Sequence, residues 1–245
     1  MSEPLARSVP ALLPLLRPEA ELVVLARCLF REGWDDHLAG HITYRQPDGS
    51  ILVNPWELTW DELTPRDVMR IDAGGAIISG LWSVTPGITL HLELHKARPD
   101  VVVAVHNHSR WATIYCDIGR IPAVYDQTSA MVNGDPALHD EYDGTVDDVG
   151  SARRAIAALG GAKSILLANH GPLVVADSIR QAHLRAITLE WRCRQAWHVE
   201  AAGGGVPMRP ETVATMGHGA DAYGFPGLWE AMARRELRMD PGLLD

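Results

Sequence analysis

Residues 40–55 read Gly40-His41-Ile42-Thr43-Tyr44-Arg45-Gln46-Pro47-Asp48-Gly49-Ser50-Ile51-Leu52-Val53-Asn54-Pro55, two runs rich in β-formers divided by an Asp-Gly pair. Asp-Gly supplies the backbone twist a tight hairpin needs, so the stretch predicts two antiparallel strands. A second hairpin follows at 68–80, VMRIDAGGAIISG. On the N-terminal side, 19–32 (EAELVVLARCLFRE) spaces its apolar residues as a helix, with Glu at its start, Arg near its end, and Gly33 to stop it. On the C-terminal side, TPGITLHLELHKARP predicts a helix between Pro86 and Pro99, and VVVAVHNH predicts a strand. WATIYCDIG and SARRAIAALGGA read as helices, and the polar stretch between them, 126–150, is long enough to be functional. SILLANH and PLVVA are strands joined at Asn169-His170-Gly171, where glycine suits a positive φ, and a long amphipathic helix follows. Helices interleaved with hairpins make an α/β sandwich around a largely antiparallel central sheet.

The chain of 245 residues, 47% hydrophobic, suits one compact domain. We divide it into an N-terminal arm (1–18), broken by Pro10, Pro14 and Pro18, a domain over 19–203, and a C-terminal extension (204–245). In that extension GGG, PMRP and GHG interrupt periodicity and the chain is expected to wander over a surface. The net charge of -9 argues against a nucleic-acid partner, because phosphate binding needs a concentrated basic face. No apolar run approaches the roughly 20 residues of a membrane span, and no leader peptide is legible. Three scattered cysteines form neither a CxxC pair nor a disulfide framework, which fits a reducing, cytoplasmic setting.

The chemistry gathers on histidines. His106 and His108 stand two apart at the end of a strand, so their side chains leave one face, where two imidazoles can chelate one ion. His170 ends another apolar strand, and two such strands can converge. Three nitrogen ligands leave a coordination position open, the pattern of a catalytic site. His91 and His95 form a rival pair at i and i+4, but Glu93 projects about 200 degrees around the helix from His91, at about 100 degrees per residue, which excludes the zinc-protease pattern. The plainer expectation is that they flank a buried helix face carrying Leu90, Leu94 and Ala97. There is no GxSxG elbow, P-loop or GxGxxG; Cys116 has nothing to lower its pKa, and Lys96 and Lys163 lie in polar contexts unsuited to a Schiff base. Carbanion chemistry would therefore need a metal as electron sink.

In order along 33–203, GHITYR, LVNPWELTWDELTPRDVMRID, TLHLELHKARPDVVVAVHNHS and LLANHGPLVV resemble the class II aldolase and adducin family. The resemblance implies a three-layer α/β/α sandwich, a homotetramer, a small-molecule substrate, and one divalent metal ion on His106, His108 and His170. Zn is the first expectation, with Mn, Co or Fe as alternatives. The departures narrow the substrate. Sugar-phosphate members carry a Ser-Ser-Glu-like run where this chain has Thr85-Pro86-Gly87, and a Thr-Pro-x-Gly turn where it has Val53-Asn54-Pro55-Trp56. A phosphate grip and an acid/base Glu are both missing. The chain looks closer to an adducin-like bacterial branch, whose relatives are similar to metal-dependent decarboxylases and to non-haem iron oxygenases. His91 and Asp126 are then the candidates for proton transfer; Tyr125 adjoins Asp126, near which some relatives hold a functional Tyr. Protonated His41 and Asn54 are candidates to bind a carboxylate, with Trp56 as a stacking surface. The expected function is a metal-dependent carbon–carbon lyase, aldolase-type or decarboxylase, on a non-phosphorylated, carboxylate-bearing molecule. The alternatives are an iron oxygenase and a non-catalytic adducin-like interaction module.

Overall fold

A computed structural model describes residues 13–244 except 133 and 224, so most of the expected N-terminal arm lies outside the described residues. Both hairpins form. Strands β1 (His41–Arg45) and β2 (Ile51–Val53) turn at Asp48-Gly49, where Gln46 N–H donates to Ser50 O, and β3 (Met69–Ile71) and β4 (Ile77–Ser79) follow. With β5 (Val103–His106), β6 (Ala137–His139), β7 (Ser164–Leu167) and β8 (Gly171–Ala176) they make one eight-stranded sheet in the order β4-β3-β2-β1-β5-β8-β7-β6. All neighbours run antiparallel except β6 and β7, which are parallel. The sheet is therefore mixed, because β6, three residues inside the long polar stretch, reaches β7 through a crossover helix and not a hairpin.

Helices cover both faces. On one lie α2 (Ile88–Ala97) and α4 (Val149–Leu159), whose Leu90, Leu94, Ala152 and Leu159 pack with Ala104, Ile165 and Val175 of the sheet. On the other lie α1 (Pro18–Arg31), α3 (Ala112–Ile118) and the long α5 (Ile179–Ala201), enclosing Leu22, Leu25, Val103, Val105, Ala182 and Leu189. The alternation along β5 shows why. Val103 and Val105 face α1 and α5, whereas Ala104 faces α2, the period-2 pattern of a strand buried on both sides.

The C-terminal stretch corrects the expectation of a wandering tail. It forms α6 (Pro210–Tyr223) and α7 (Leu228–Met239), and α7 turns Trp229, Ala233 and Glu236 inward against α1 and α5. Asp221 of α6 is buried and ion-paired with Arg185 and Lys163, which also disposes of Lys163 as a free amine. Cys28, Cys116 and Cys193 are all free and buried; burial pushes the Cys28 and Cys116 thiols up to about 12. No described helix is long and apolar enough to cross a membrane.

Candidate metal centre

The register of β1 on β5 builds the site. His41 lies opposite His106 and Thr43 opposite Ala104, so the alternation puts these four side chains on the face that α2 covers. β5 ends at His106, and the chain then bends so that His108 and His170, from the turn before β8, come in beside it. One nitrogen from each of His106, His108 and His170 lies within 4.8 Å of the others, and the ring centroids are 4.8 to 5.5 Å apart. Movements of about 1 Å would let the three share one ion at about 2.1 Å.

Two tight backbone approaches hold this bend. Gly40 has φ +91°, and a Cβ there would lie 2.6 Å from both the Asn107 amide nitrogen and the His106 carbonyl oxygen. A Cβ on Gly171 would lie 2.8 Å from Asn107 O and 3.0 Å from His108 Cδ2. The expected role of Gly171 is thus changed. The positive φ of the turn belongs to Asn169, at +54°, and Gly171 is needed for close approach.

Hydrogen bonds fix the donor nitrogens. His106 Nδ1 donates to Pro172 O at 3.0 Å and His108 Nδ1 donates to Asp36 Oδ2 at 2.7 Å, so each Nε2 keeps its lone pair for an ion. His170 Nδ1 is buried without a hydrogen-bond partner, an orphaned nitrogen that a cation would satisfy. Burial, then the neighbouring imidazoles, holds His106 well below the ordinary histidine range and His170 at about 4, which favours the neutral form that could ligate an ion. Burial opposes ionisation of Asp36, but hydrogen bonds from His37 and His108 outweigh it and lower its pKa. The donor set fits a divalent ion of borderline hardness, with a third of the His108 side chain open to solvent.

The remaining expected residues fall differently. His91 is fully buried beneath His41, their rings 4.3 Å apart, and its Nδ1 lies 2.8 Å from Thr43 Oγ1. His91 and His95 therefore do not merely flank the helix face; they pack against β1, and Ala97 is exposed. Glu93 is ion-paired with Lys96 and Arg153, which closes the rival metal site. His41 is buried, and burial, then the charge His170 and His108 would carry, lowers its pKa to about 3, which disfavours the protonated form expected for a carboxylate binder. The Asn54 carbonyl accepts from Ile42 N–H and one of its amide hydrogens is donated to Pro55 O, so this side chain ties β2 to β1. Asp126 accepts from Ser129 N–H, Ser129 Oγ–H and Trp191 Nε1–H, capping the short turn Thr128–Ala130 and binding it to α5. That commitment argues against Asp126 in proton transfer. Sequence reading missed Asp36, whose only signal was an acid shortly before the Gly-His pair.

A family model, the Class II Aldolase and Adducin N-terminal domain, matches residues 20–197. A putative aldolase class 2 protein of Caulobacter vibrioides is 30% identical over 238 residues, 92% of this chain and 91% of that protein. The decarboxylase NovR of Streptomyces niveus is 30% identical over 74% of this chain and 68% of its own length. A 4-hydroxy-3-prenylphenylpyruvate oxygenase/4-hydroxy-3-prenylbenzoate synthase of Streptomyces roseochromogenus is 30% identical over 79% of this chain and 72% of its own. Among solved structures, an L-fuculose 1-phosphate aldolase from Glaciozyma antarctica superposes with a TM-score of 0.80 at 26% identity, over 92% of this chain and 90% of that one. With the mixed sheet between two helical layers and the three converging histidines, these matches establish that the chain belongs to the class II aldolase and adducin family.

Proposed function

We propose that this protein is a divalent-metal-dependent carbon–carbon lyase acting on a small, non-phosphorylated, carboxylate-bearing molecule, with His106, His108 and His170 as its metal ligands. The observation that carries the proposal is the convergence of three imidazoles, two of them with Nε2 freed by a fixed Nδ1 hydrogen bond. Bound there, zinc or a similar ion would polarise a substrate carbonyl or carboxylate and stabilise the enolate left by bond cleavage. The protein's part is to orient those ligands through Asp36 and Pro172 O, and to keep a proton-accepting imidazole, His91, behind His41.

The case against a phosphorylated substrate rests on donors already in use. Trp56 N–H donates to Ser83 O, Ser83 N–H to the Glu57 carboxylate, and Ile88 N–H to Thr85 O; Pro55 and Pro86 have no N–H at all. The Glu57 carboxylate takes up both the Ser83 N–H and its hydroxyl. Trp56, half exposed, offers an aromatic face nearby in sequence.

Chelator-treated protein, reloaded with Zn(II), Mn(II) or Co(II) under nitrogen, is expected to cleave hydroxylated aromatic or aliphatic carboxylic acids and to leave fuculose 1-phosphate and ribulose 5-phosphate almost untouched. Full turnover in metal-free protein would overturn the reading, as would a kcat/KM of about 10⁴ M⁻¹s⁻¹ or more on the sugar phosphates. The oxygenase of Streptomyces roseochromogenus motivates a second reading, Fe(II) chemistry on the same ligands; oxygen uptake matched to substrate loss would decide for it. Assembly as a cytoplasmic homotetramer completes the proposal, and a monomer in sedimentation at micromolar concentration would count against it.

A further inference from the structure

Between the loop that follows α3 and the start of α6 lies a cavity of about 470 Å³, inside the range of about 300–1,000 Å³ that small-molecule sites occupy. Its walls are largely apolar. Pro122 and Val124 come from the loop, Pro207 and Met208 from the stretch that enters α6, and Val213 and Ala214 from α6 itself. Met208 N–H donates to Val124 O at 2.7 Å and joins the two walls. Pro122, Pro207 and Pro210 have no N–H, so the backbone offers an entering molecule few donors. None of the residues placed at the metal centre lines this cavity.

One cation stands in that apolar wall. Arg192 of α5 keeps only 8% of its side chain exposed; its Nε donates to Pro122 O at 2.9 Å, and its Nη2 donates to Pro122 O and, at 2.7 Å, to Asp135 Oδ1. A buried guanidinium is costly unless its charge is matched and its donors are taken up. Here the one counter-ion among the described residues, Asp135, is 64% exposed and screened by water, so it offsets the charge weakly. Nη1 has no acceptor among the described residues, yet it is not one of the sealed orphan atoms of the interior. Its hydrogens are therefore open to a group that enters from outside.

We infer that this cavity is a second binding site, for a small monocarboxylate with an apolar body: the carboxylate sits on Arg192 Nη1 and the body lies between Pro122, Met208 and Val213. A guanidinium meets a carboxylate through charge-assisted hydrogen bonds, and these gain strength where apolar walls keep water away. Asp135 beside it repels a second negative charge, which selects against phosphate esters and dicarboxylates. The sulfur of Met208 favours an aromatic ring over a plain alkyl chain. Because α6 buries only Gly217 and Asp221, one wall is a loosely seated helix, and an occupied cavity should hold it more firmly. The two sites share no residue, so this one stands whether or not the lyase reading holds.

Titration calorimetry of the full chain with 4-phenylbutyrate is expected to show a saturable site in chelator-treated protein whose affinity is unchanged after zinc is restored. The uncharged 4-phenylbutan-1-ol should bind about tenfold or more weakly. Asp135→Asn should tighten carboxylate binding by about threefold, since Arg192 loses a competitor, and Arg192→Met should weaken it by about tenfold. Ala214→Trp puts an indole into the cavity from an exposed helix position and should abolish binding while the circular dichroism stays that of the wild type. Hydrogen exchange across 210–223 should slow when the ligand is present and stay unchanged in α2 and α4. No saturation by about 1 mM overturns the inference. So does equal affinity for the alcohol, binding that survives Ala214→Trp, or binding that requires the metal, which would place the carboxylate at the histidines. If Arg192→Met does not fold, Asp135→Asn and Ala214→Trp decide. A cavity that refuses the ligand while Ala214→Trp dissociates an oligomer in sedimentation would mean that a second copy of the chain fills it, and the small-molecule site would be lost.

Discussion

Asp36 holds the outer nitrogen of His108 at 2.7 Å while His37 holds its other oxygen at 2.8 Å, so one carboxylate sets both the tautomer and the ring angle of a proposed ligand. Asp36→Asn keeps the shape but loses the charge that makes His108 a stronger donor. Metal affinity should fall by about 10- to 100-fold, measured by competition with a chromogenic chelator, while the far-ultraviolet spectrum stays unchanged. Unaltered affinity would show that the carboxylate is incidental. By contrast His106→Ala, His108→Ala and His170→Ala each remove a proposed ligand outright and should emerge folded with most of the metal gone by elemental analysis. The three proposed ligands were legible because His106 and His170 close apolar runs and His108 stands two residues beyond His106, a local signal. Asp36, Thr43 and His95 were not, because their partners are chosen by cross-strand register and by how the 34–40 segment folds over Asn107. The same blindness bears on His41: its residue type suggests a cation, but burial among other imidazoles opposes that charge.

At the scale of elements, the turn between β7 and β8 and the bend after β5 fit together like two hooks, and Gly171 is where they touch. Gly171→Ala puts a methyl about 3 Å from Asn107 O and His108 Cδ2, so one hook must retreat. Backbone cannot yield cheaply there, and the expected cost is about 1–3 kcal/mol of stability with a matching loss of metal affinity. A crystal structure of the variant with His108 and His170 undisplaced would refute this. Hairpins and helices were readable where a single period ran long enough, as in β1–β2 and α5. β6 was not, since three residues carry no period and its parallel partner is decided from afar. The last two helices were hidden differently: the glycines of 203–205 and the Gly-His-Gly at 217–219 dominate the local pattern, although Trp229, Ala233 and Glu236 keep helical spacing in α7.

Considered whole, the molecule carries a second buried histidine region remote from the proposed metal ligands. His183 of α5 packs edge-on against Trp229 of α7 with both ring nitrogens unpartnered, and burial, reinforced by Arg235, lowers its pKa to about 4. The unfolded chain, with an ordinary value near 6.5, takes up this proton first as pH falls, so stability is complete above about 6.5 and is lost progressively down to about 4. The contribution is about 3 kcal/mol at the acid end, and metal should not mask it because His183 is not among the proposed ligands. Thermal melts of metal-loaded protein at pH 5 and pH 7.5 should therefore diverge, and His183→Phe should narrow the gap; equal gaps in both proteins would show that other groups carry the acid sensitivity.

The three buried thiols give the protein a built-in clock. Each is sealed in the interior and, with burial raising Cys28 and Cys116 to about 12 and Cys193 well above its ordinary value, almost none is thiolate at neutral pH, so a thiol-specific reagent has nothing to attack until the chain opens. Cys28 feels the charges of Arg235 and Glu236 on α7, whereas Cys116 and Cys193 lie beside Glu190 between α3 and α5. Labelling at Cys28 thus times the departure of the C-terminal helix, labelling at the other two times the parting of the central layer, and the difference between those rates measures whether this fold comes apart in one step or two.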